Sequence, residues 1–329
     1  MEETRIRTER AERSTVLEIF SIAAGAVVPF ILYMAFGYGI RSAGICDIPF
    51  LRKLNSVMFT AFFPLMMFNN IYNMDVNGGL SLRFVAFAYI SVLSTILLLV
   101  LLVPRFVKDR RQIPVVIQGV YRSNILLFAI PLTASLLGEG AVSLATALVV
   151  LVVPTYNITA VVLLEAYEGN GKSSPVKLAL SILENPLILG VVTAGIMRGL
   201  HIVIPDIIMK VIRQYSDMST PLALFILGGT LQFSSLRKNA KVITAVAALR
   251  LVIVPAIMLA IGTALGFGKV ERFVVFTLFA TPMATAAFPM AQAMGADADL
   301  AGELIVVTTT GAVISLFLWI MFMQYTGIL

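Results

Sequence analysis

Long stretches without charge alternate with short polar ones along the whole chain. Residues 54–74, 84–103, 141–164, 218–236, 273–296 and 304–329 contain no Asp, Glu, Lys or Arg. Each approaches or exceeds the ~20 apolar residues that a helix needs to cross the hydrocarbon core of a bilayer. A further stretch, 15–40, is interrupted only by Glu18, and 112–137, 178–197 and 242–268 each carry one charge or a break. The pattern predicts ten membrane-spanning helices. The first apolar run is too long for a signal peptide and lacks a small-residue cleavage site, so it reads as a retained helix.

The helices fall into two sets. Pro29, Pro49, Pro64 and Pro131 are answered by Pro186, Pro205, Pro221 and Pro289 at separations of 156 to 158 residues, and Gly138 and Gly295 share the offset. Phe63-Pro64-Leu65-Met66-Met67-Phe68 aligns with Thr220-Pro221-Leu222-Ala223-Leu224-Phe225 on the same shift. Five spans per half force the second half to enter the membrane from the opposite side, which makes an inverted repeat of the kind that builds secondary transporters. The expected organisation is a polar N-terminal segment 1–14, a first repeat 15–164, a Gly- and Ser-containing linker 165–177 and a second repeat 178–329. Between Ile202 and Gln214 the apolar residues share one helical face, as in a short helix lying at the membrane interface, and 48–53 is its repeat mate.

Composition agrees with the pattern: 59% of residues are hydrophobic and 13% charged, against about a quarter charged in an ordinary soluble domain. A single cysteine, Cys46, rules out an internal disulfide, and a single histidine, His201, rules out a multi-histidine metal site. The net charge of +6 resides in short loops, where membrane topology places it, so it does not point to nucleic acid. Lys and Arg are about twice as frequent in the loops after the first, third, fifth and seventh helices as in the alternate loops, and the positive-inside rule then sets both termini on the non-cytoplasmic side of the cell membrane. Arg5, Arg7, Arg10 and Arg13 ahead of the first helix argue the other way.

No catalytic motif is present, so an enzyme is not expected, and no cofactor or metal is implied. The polar residues that stand out interrupt the fourth and ninth apolar segments at equivalent places: Arg122-Ser123-Asn124 with Pro131 in one, Thr281-Pro282 with Pro289 and Thr285 in the other. Proline removes an amide donor and clashes with the preceding turn. Two such breaks in inverted halves bring half-helix amino termini to the bilayer midplane, where they offer partial positive charge to an anion. A proline can also merely kink a packed helix.

Arg122 and Arg250 fit two readings, a pathway or ion-pair role in the membrane and snorkelling to an interface. Glu184 and Asp217 fall at predicted helix starts, where a carboxylate caps the helix or takes a second role in proton coupling. Tyr156 and Asn157 after Pro154, and Thr308, Thr309 and Thr310 in the matching part of the tenth helix, are further lining candidates; threonines in membrane helices also bond their own backbone.

At these residues the sequence resembles a bacterial member of the auxin efflux carrier family, the group that includes the plant PIN auxin transporters. Leu54-Asn55 with Phe63-Pro64-Leu65 resembles the family's second helix, and Arg122-Ser123-Asn124 with Ala129-Ile130-Pro131-Leu132 its fourth. Glu184-Asn185-Pro186-Leu187, Pro221-Leu222-Ala223-Leu224 with Gly228-Gly229, and Ala280-Thr281-Pro282 with Ala291-Gln292 resemble the sixth, seventh and ninth. Ser123 departs from the glycine usual in bacterial members, and the long cytoplasmic loop of many plant members is missing.

The resemblance implies an all-α membrane protein of the bile acid symporter and PIN-like fold, with ten transmembrane helices in two inverted five-helix repeats. Helices four and nine would be broken and crossed, helices one, two, six and seven would form a scaffold, and the remainder would move like an elevator. It implies a homodimer that transports a small organic anion such as a mono- or dicarboxylate or an auxin-like acid. Asn124 would take the place of the crossover asparagine that contacts the substrate carboxylate, and Pro282 that of the crossover proline. The expected substrate-binding set is Asn124, Ser123, Pro131, Thr281, Pro282, Thr285, Tyr156 and Asn157, with Arg122, Arg250, Glu184 and Asp217 as coupling or gating candidates. A sodium-coupled symporter of bile acid type is the alternative transporter, and a non-transporting membrane sensor or receptor is the alternative from another class.

Overall fold

A computed structural model describes residues 28–73, 81–168, 183–230 and 235–329, together with Gly25 and Leu180. The polar segment 1–14, the start of the first expected helix, most of the 165–177 linker and the start of the sixth expected helix lie outside the described residues. Every element among the described residues is helical, apart from one isolated β-bridge.

The first described helix, α1, covers 28–42. α2 (Ile48–Val57) is capped by the Asp47 carboxylate, which accepts from the Phe50 amide at 2.8 Å, and passes through a π-helical turn, Met58–Phe62, into α3 (Phe63–Tyr72). α4 (Leu82–Phe106) is followed by α5 (Ile113–Tyr121), α6 (Ile125–Leu137) and α7 (Glu139–Tyr167). α8 (Pro186–Gly199) and α9 (Asp206–Thr230) come next, then α10 (Ser235–Ala248), which a second π-turn, Leu249–Ile253, joins to α11 (Val254–Ala264). α12 (Lys269–Ala280), the short α13 (Ala287–Ala293) and α14 (Ala298–Tyr325) complete the chain.

Three helices, Leu82–Phe106, Asn239–Ala264 and Ala298–Tyr325, are each long and apolar enough to cross a membrane. Their outward surfaces fit that environment. On α4, Leu93, Leu97, Leu98 and Leu101 are exposed while Ala88, Val92, Ile96 and Leu99 are buried; a greasy outer stripe of this kind is unsuited to water and suited to lipid. The described residues form an all-helical membrane protein.

Two expectations change. No separate interfacial helix exists at 202–214: from Asp206 onward these residues are the first turns of the 25-residue α9, and 48–53 likewise opens α2. Their amphipathic face reflects the end of a long helix, and nothing between Gln214 and Ser216 interrupts its hydrogen bonds. Nor does Pro131 break the fourth segment, because α6 runs through it. Pro289 is the third residue of α13, where no preceding turn exists for its ring to strike. The breaks lie earlier, at 122–124 and 281–286.

Packing follows two styles. α3 lies against α8 and α9, and there glycines let backbones touch: Gly190 faces the Pro64 carbonyl, Gly228 faces the Met34 backbone, and Gly37 faces the Phe225 carbonyl. In the other style, α6 packs on α7, α10 on α14 and α11 on α12 through large apolar side chains, around a buried polar centre at the two breaks.

Candidate functional site

The two interrupted segments meet. α5 ends at Arg122, whose ψ of 98° turns the chain extended, and α12 ends at Thr281 with a ψ of 154°. The local cause differs between them. Ser123 and Asn124 are weak helix formers that favour caps and turns, whereas Pro282 forces the residue before it out of the helical region. The extended pieces lie antiparallel, with Ser123 bridged to Met283. The Asn124 amide donates to the Pro282 carbonyl at 2.9 Å, and the Ala284 amide donates to the Arg122 carbonyl at 3.0 Å. The Met283 amide donates to the Thr308 hydroxyl at 3.2 Å.

The Asn124, Met283 and Ala284 amides within the breaks are therefore not free for a ligand. In a membrane an unmatched backbone group costs several kcal/mol, and these three are matched by the opposite break or by Thr308. The first-turn amides of α6 remain as helix-end donors.

Beside the crossing is a cavity of about 530 Å³. Arg122, Ser123, Asn124 and Thr285 line it from the crossing, Tyr156 and Asn157 from α7, and Asn70, Ser216 and Asp217 from α3 and α9. Arg122 is 2% exposed, so it does not snorkel. Its guanidinium donates to the Asn157 side-chain carbonyl at 2.7 Å, to that of Gln118 at 2.9 Å and to the Met290 sulfur at 3.0 Å. No carboxylate contacts it among the described residues. Asn157 in turn donates to the Met67 sulfur, and the Ser123 and Tyr156 hydroxyls lie 3.1 Å apart. The side-chain nitrogen of Asn124 is buried and has no hydrogen-bond partner.

Six of the anticipated residues thus share one cavity wall, and Asp217 faces the same space. It does so from the middle of α9, about 16 Å along the helix, and not from a helix start as its position in the sequence suggested. Glu184 is exposed and does not cap α8; that role falls to the neighbouring Asn185, whose side chain accepts from the Leu187 amide at 3.0 Å. Thr281 and Pro282 belong to the crossing but not to the cavity wall. Thr281 is fully buried with an unpartnered hydroxyl, and its carbonyl and that of Pro282 accept from Arg250. Pro131 lies within α6. Thr308 braces Met283, Thr309 is buried, and Thr310 is exposed.

Two polar residues of the cavity wall, and buried Glu303 outside it, escaped the sequence reading. Asn70 and Ser216 carry no charge and sit in or beside apolar runs, although the Asn69-Asn70 pair inside 54–74 was a visible signal. Glu303 is buried, with Asn239 donating to its carboxylate at 2.8 Å; standing one residue before an apolar run, it looked like a flank. Asn55 donates to the Pro289 carbonyl at 3.2 Å and so ties α2 to α13.

The wall offers a fixed guanidinium, a free amide donor and the hydroxyls of Ser123, Tyr156, Ser216 and Thr285 in a confined space. A guanidinium fork matches the two oxygens of a carboxylate, so the arrangement is chemically suited to a small carboxylate anion. A family model described as membrane transport protein matches residues 22–320, nearly the whole chain. A comparison with curated proteins returns no match.

Proposed function

The chain belongs to the membrane transport protein family, the auxin efflux carriers, whose members are transporters and not enzymes, and from that premise we propose that it carries a small organic anion across the cell membrane. The substrate is a mono- or dicarboxylate or an auxin-like acid. One observation carries the reading: a buried guanidinium with no carboxylate partner among the described residues shares a cavity wall with a side-chain amide that lacks an acceptor. Burying an unpaired cation costs several kcal/mol, and a carboxylate accepting from both groups offsets that cost.

In this reading Arg122 and Asn124 hold the carboxylate. Ser123, Thr285, Tyr156 and Asn157 shape the space around it, and Thr281, Pro282 and Pro131 contribute through the backbone path of the broken helices. Asp217, facing the anion across the same cavity, is the coupling residue. Glu184 has no part in the site.

The matching element bounds support two inverted five-helix repeats: α2 starts at Ile48 and α9 at Asp206, and α3 ends at Tyr72 where α9 ends at Thr230, all on the proline offset. The panel of α1, α2, α3, α8 and α9 is the stationary scaffold of an elevator, and the crossing moves with its helices. The assembly is a homodimer with both termini non-cytoplasmic.

Uptake of radiolabelled mono- and dicarboxylates into proteoliposomes tests the proposal. At least one acid should accumulate, and Arg122→Met should abolish its uptake. Absence of flux for the whole panel from folded, reconstituted protein would overturn the reading.

A further inference from the structure

The second buried arginine has a different setting. Arg250 lies in the π-turn Leu249–Ile253, is fully buried and does not line the cavity. Its guanidinium donates from Nε to the Thr281 carbonyl at 2.7 Å, from Nη1 to the Val120 carbonyl at 2.5 Å and from Nη2 to the Pro282 carbonyl at 3.4 Å. No carboxylate contacts it among the described residues. Val120 is in the last turn of α5, and Thr281 ends α12. The guanidinium therefore rests on the carboxyl ends of both first half-helices, the ends that carry partial negative charge.

Main-chain carbonyls converging from unwound helix ends are the oxygen set with which membrane transporters bind small cations. Here a side chain occupies it. We propose that Arg250 is a tethered cation in a built-in monovalent-cation site of the crossing. It neutralises the two half-helix ends and holds the break segments in register, so that Asn124 and Arg122 face the cavity without a dissociable cation. The role in substrate binding deepens the anion-carrier reading and rests on it, but the cation site itself does not. Arg250 is a positioning residue, because it touches the backbone of the crossing and not the cavity.

The proposal separates charge from bulk. If Arg250 served only as filler, an apolar side chain of similar length would replace it. If it serves as a cation, removing it leaves a carbonyl cage that a diffusible cation can enter.

The test is thermal unfolding of purified protein in detergent without any carboxylate present, with millimolar guanidinium, sodium or potassium chloride compared against choline chloride. Arg250→Ala should melt several degrees below the parent protein and regain stability in a saturable way with guanidinium or one of the alkali cations, since a ligand that binds the folded state stabilises it. The parent protein should show no saturable response. A folded Arg250→Ala that none of the three cations stabilises above choline would overturn the proposal. Should Arg250→Ala not accumulate in folded form, Arg250→Lys and Arg250→Met decide. The tethered cation requires folded Lys and less stable Met variants, and the reverse order would refute it. Because the assay contains no anion substrate, its failure would leave the carboxylate reading standing, and an absence of carboxylate flux would leave this result intact.

Discussion

The α1, α3, α8 and α9 panel and the crossing of the broken helices solve one problem in two ways. Lipid is as apolar as leucine, so helices in a bilayer gain little from burying apolar side chains against each other and depend on close packing or on polar contacts. The panel uses the first device. At Gly37, Gly190 and Gly228 the neighbouring backbone stands where a Cβ would be, and contacts of this kind lack any adjustable side chain. The crossing uses the second device, with two arginines, Asn124, Asn157, Thr308 and paired backbone amides buried together. Polar groups in that setting are costly, which makes the crossing the region where function accounts for the cost. The panel is built for fixity and the crossing for recognition.

The largest test of the contrast is Gly228→Leu. Overpacking a well-packed core typically costs about 1–3 kcal/mol, occasionally more, and here the obstacle is the Met34 backbone, which cannot rotate aside. Folded, monodisperse protein should be lost on size-exclusion chromatography. Gly195→Ala, in the same panel but with open space at its Cβ position, should leave the elution profile and melting temperature unchanged. Equal tolerance of both changes would erase the distinction between the regions.

At the crossing the effect should fall on the ligand and spare the fold. Asn124→Ala removes a donor that has no partner in the protein, so stability should be nearly unchanged. Losing a hydrogen bond to a charged group costs about 1.5–3 kcal/mol, roughly ten- to a hundred-fold in affinity, measurable by calorimetry with the transported acid. Asn124→Asp should be worse, because it places a like charge against the carboxylate. Unchanged affinity in Asn124→Ala would shift attention to Tyr156, Asn157 and Thr308–Thr310.

The smallest effect is expected for Thr285→Val. A neutral hydroxyl contributes about 0.5–1.5 kcal/mol, which is roughly two- to ten-fold in affinity. A loss as large as that of Asn124→Ala would make the ninth segment an equal partner in recognition.

Much of this was legible in the chain because hydrophobic run length and helix-breaking chemistry are local properties. The breaks at Arg122-Ser123-Asn124 and Thr281-Pro282 were visible as residues unsuited to a helix. Pro131 and Pro289 misled for the same reason, since a proline reports a lost donor and not whether the helix around it survives. Pro104, Pro154 and Pro221 all sit inside continuous helices. What the chain could not convey was depth and partnership. Arg122 and Arg250 look alike in sequence, yet one lines a cavity and the other is bound to three carbonyls. Asp217 looked like a helix start because α9 begins with amphipathic turns, and only the folded helix places it in mid-span.

The π-turn that carries Arg250 also makes this stretch of chain unusual in its tolerance of editing. It contains one residue more than an α-helix of the same rise. Deleting a residue between Leu249 and Ile253 would leave a regular, unbroken helix whose two flanks keep nearly the same rise and facing. Elsewhere in a membrane span a deletion shortens the helix and turns one flank by about 100° relative to the other. Here it would preserve the span and its outer faces and displace only the bulged residues, Arg250 among them, so a single lost codon would yield a transporter that inserts and folds with its crossing unclamped.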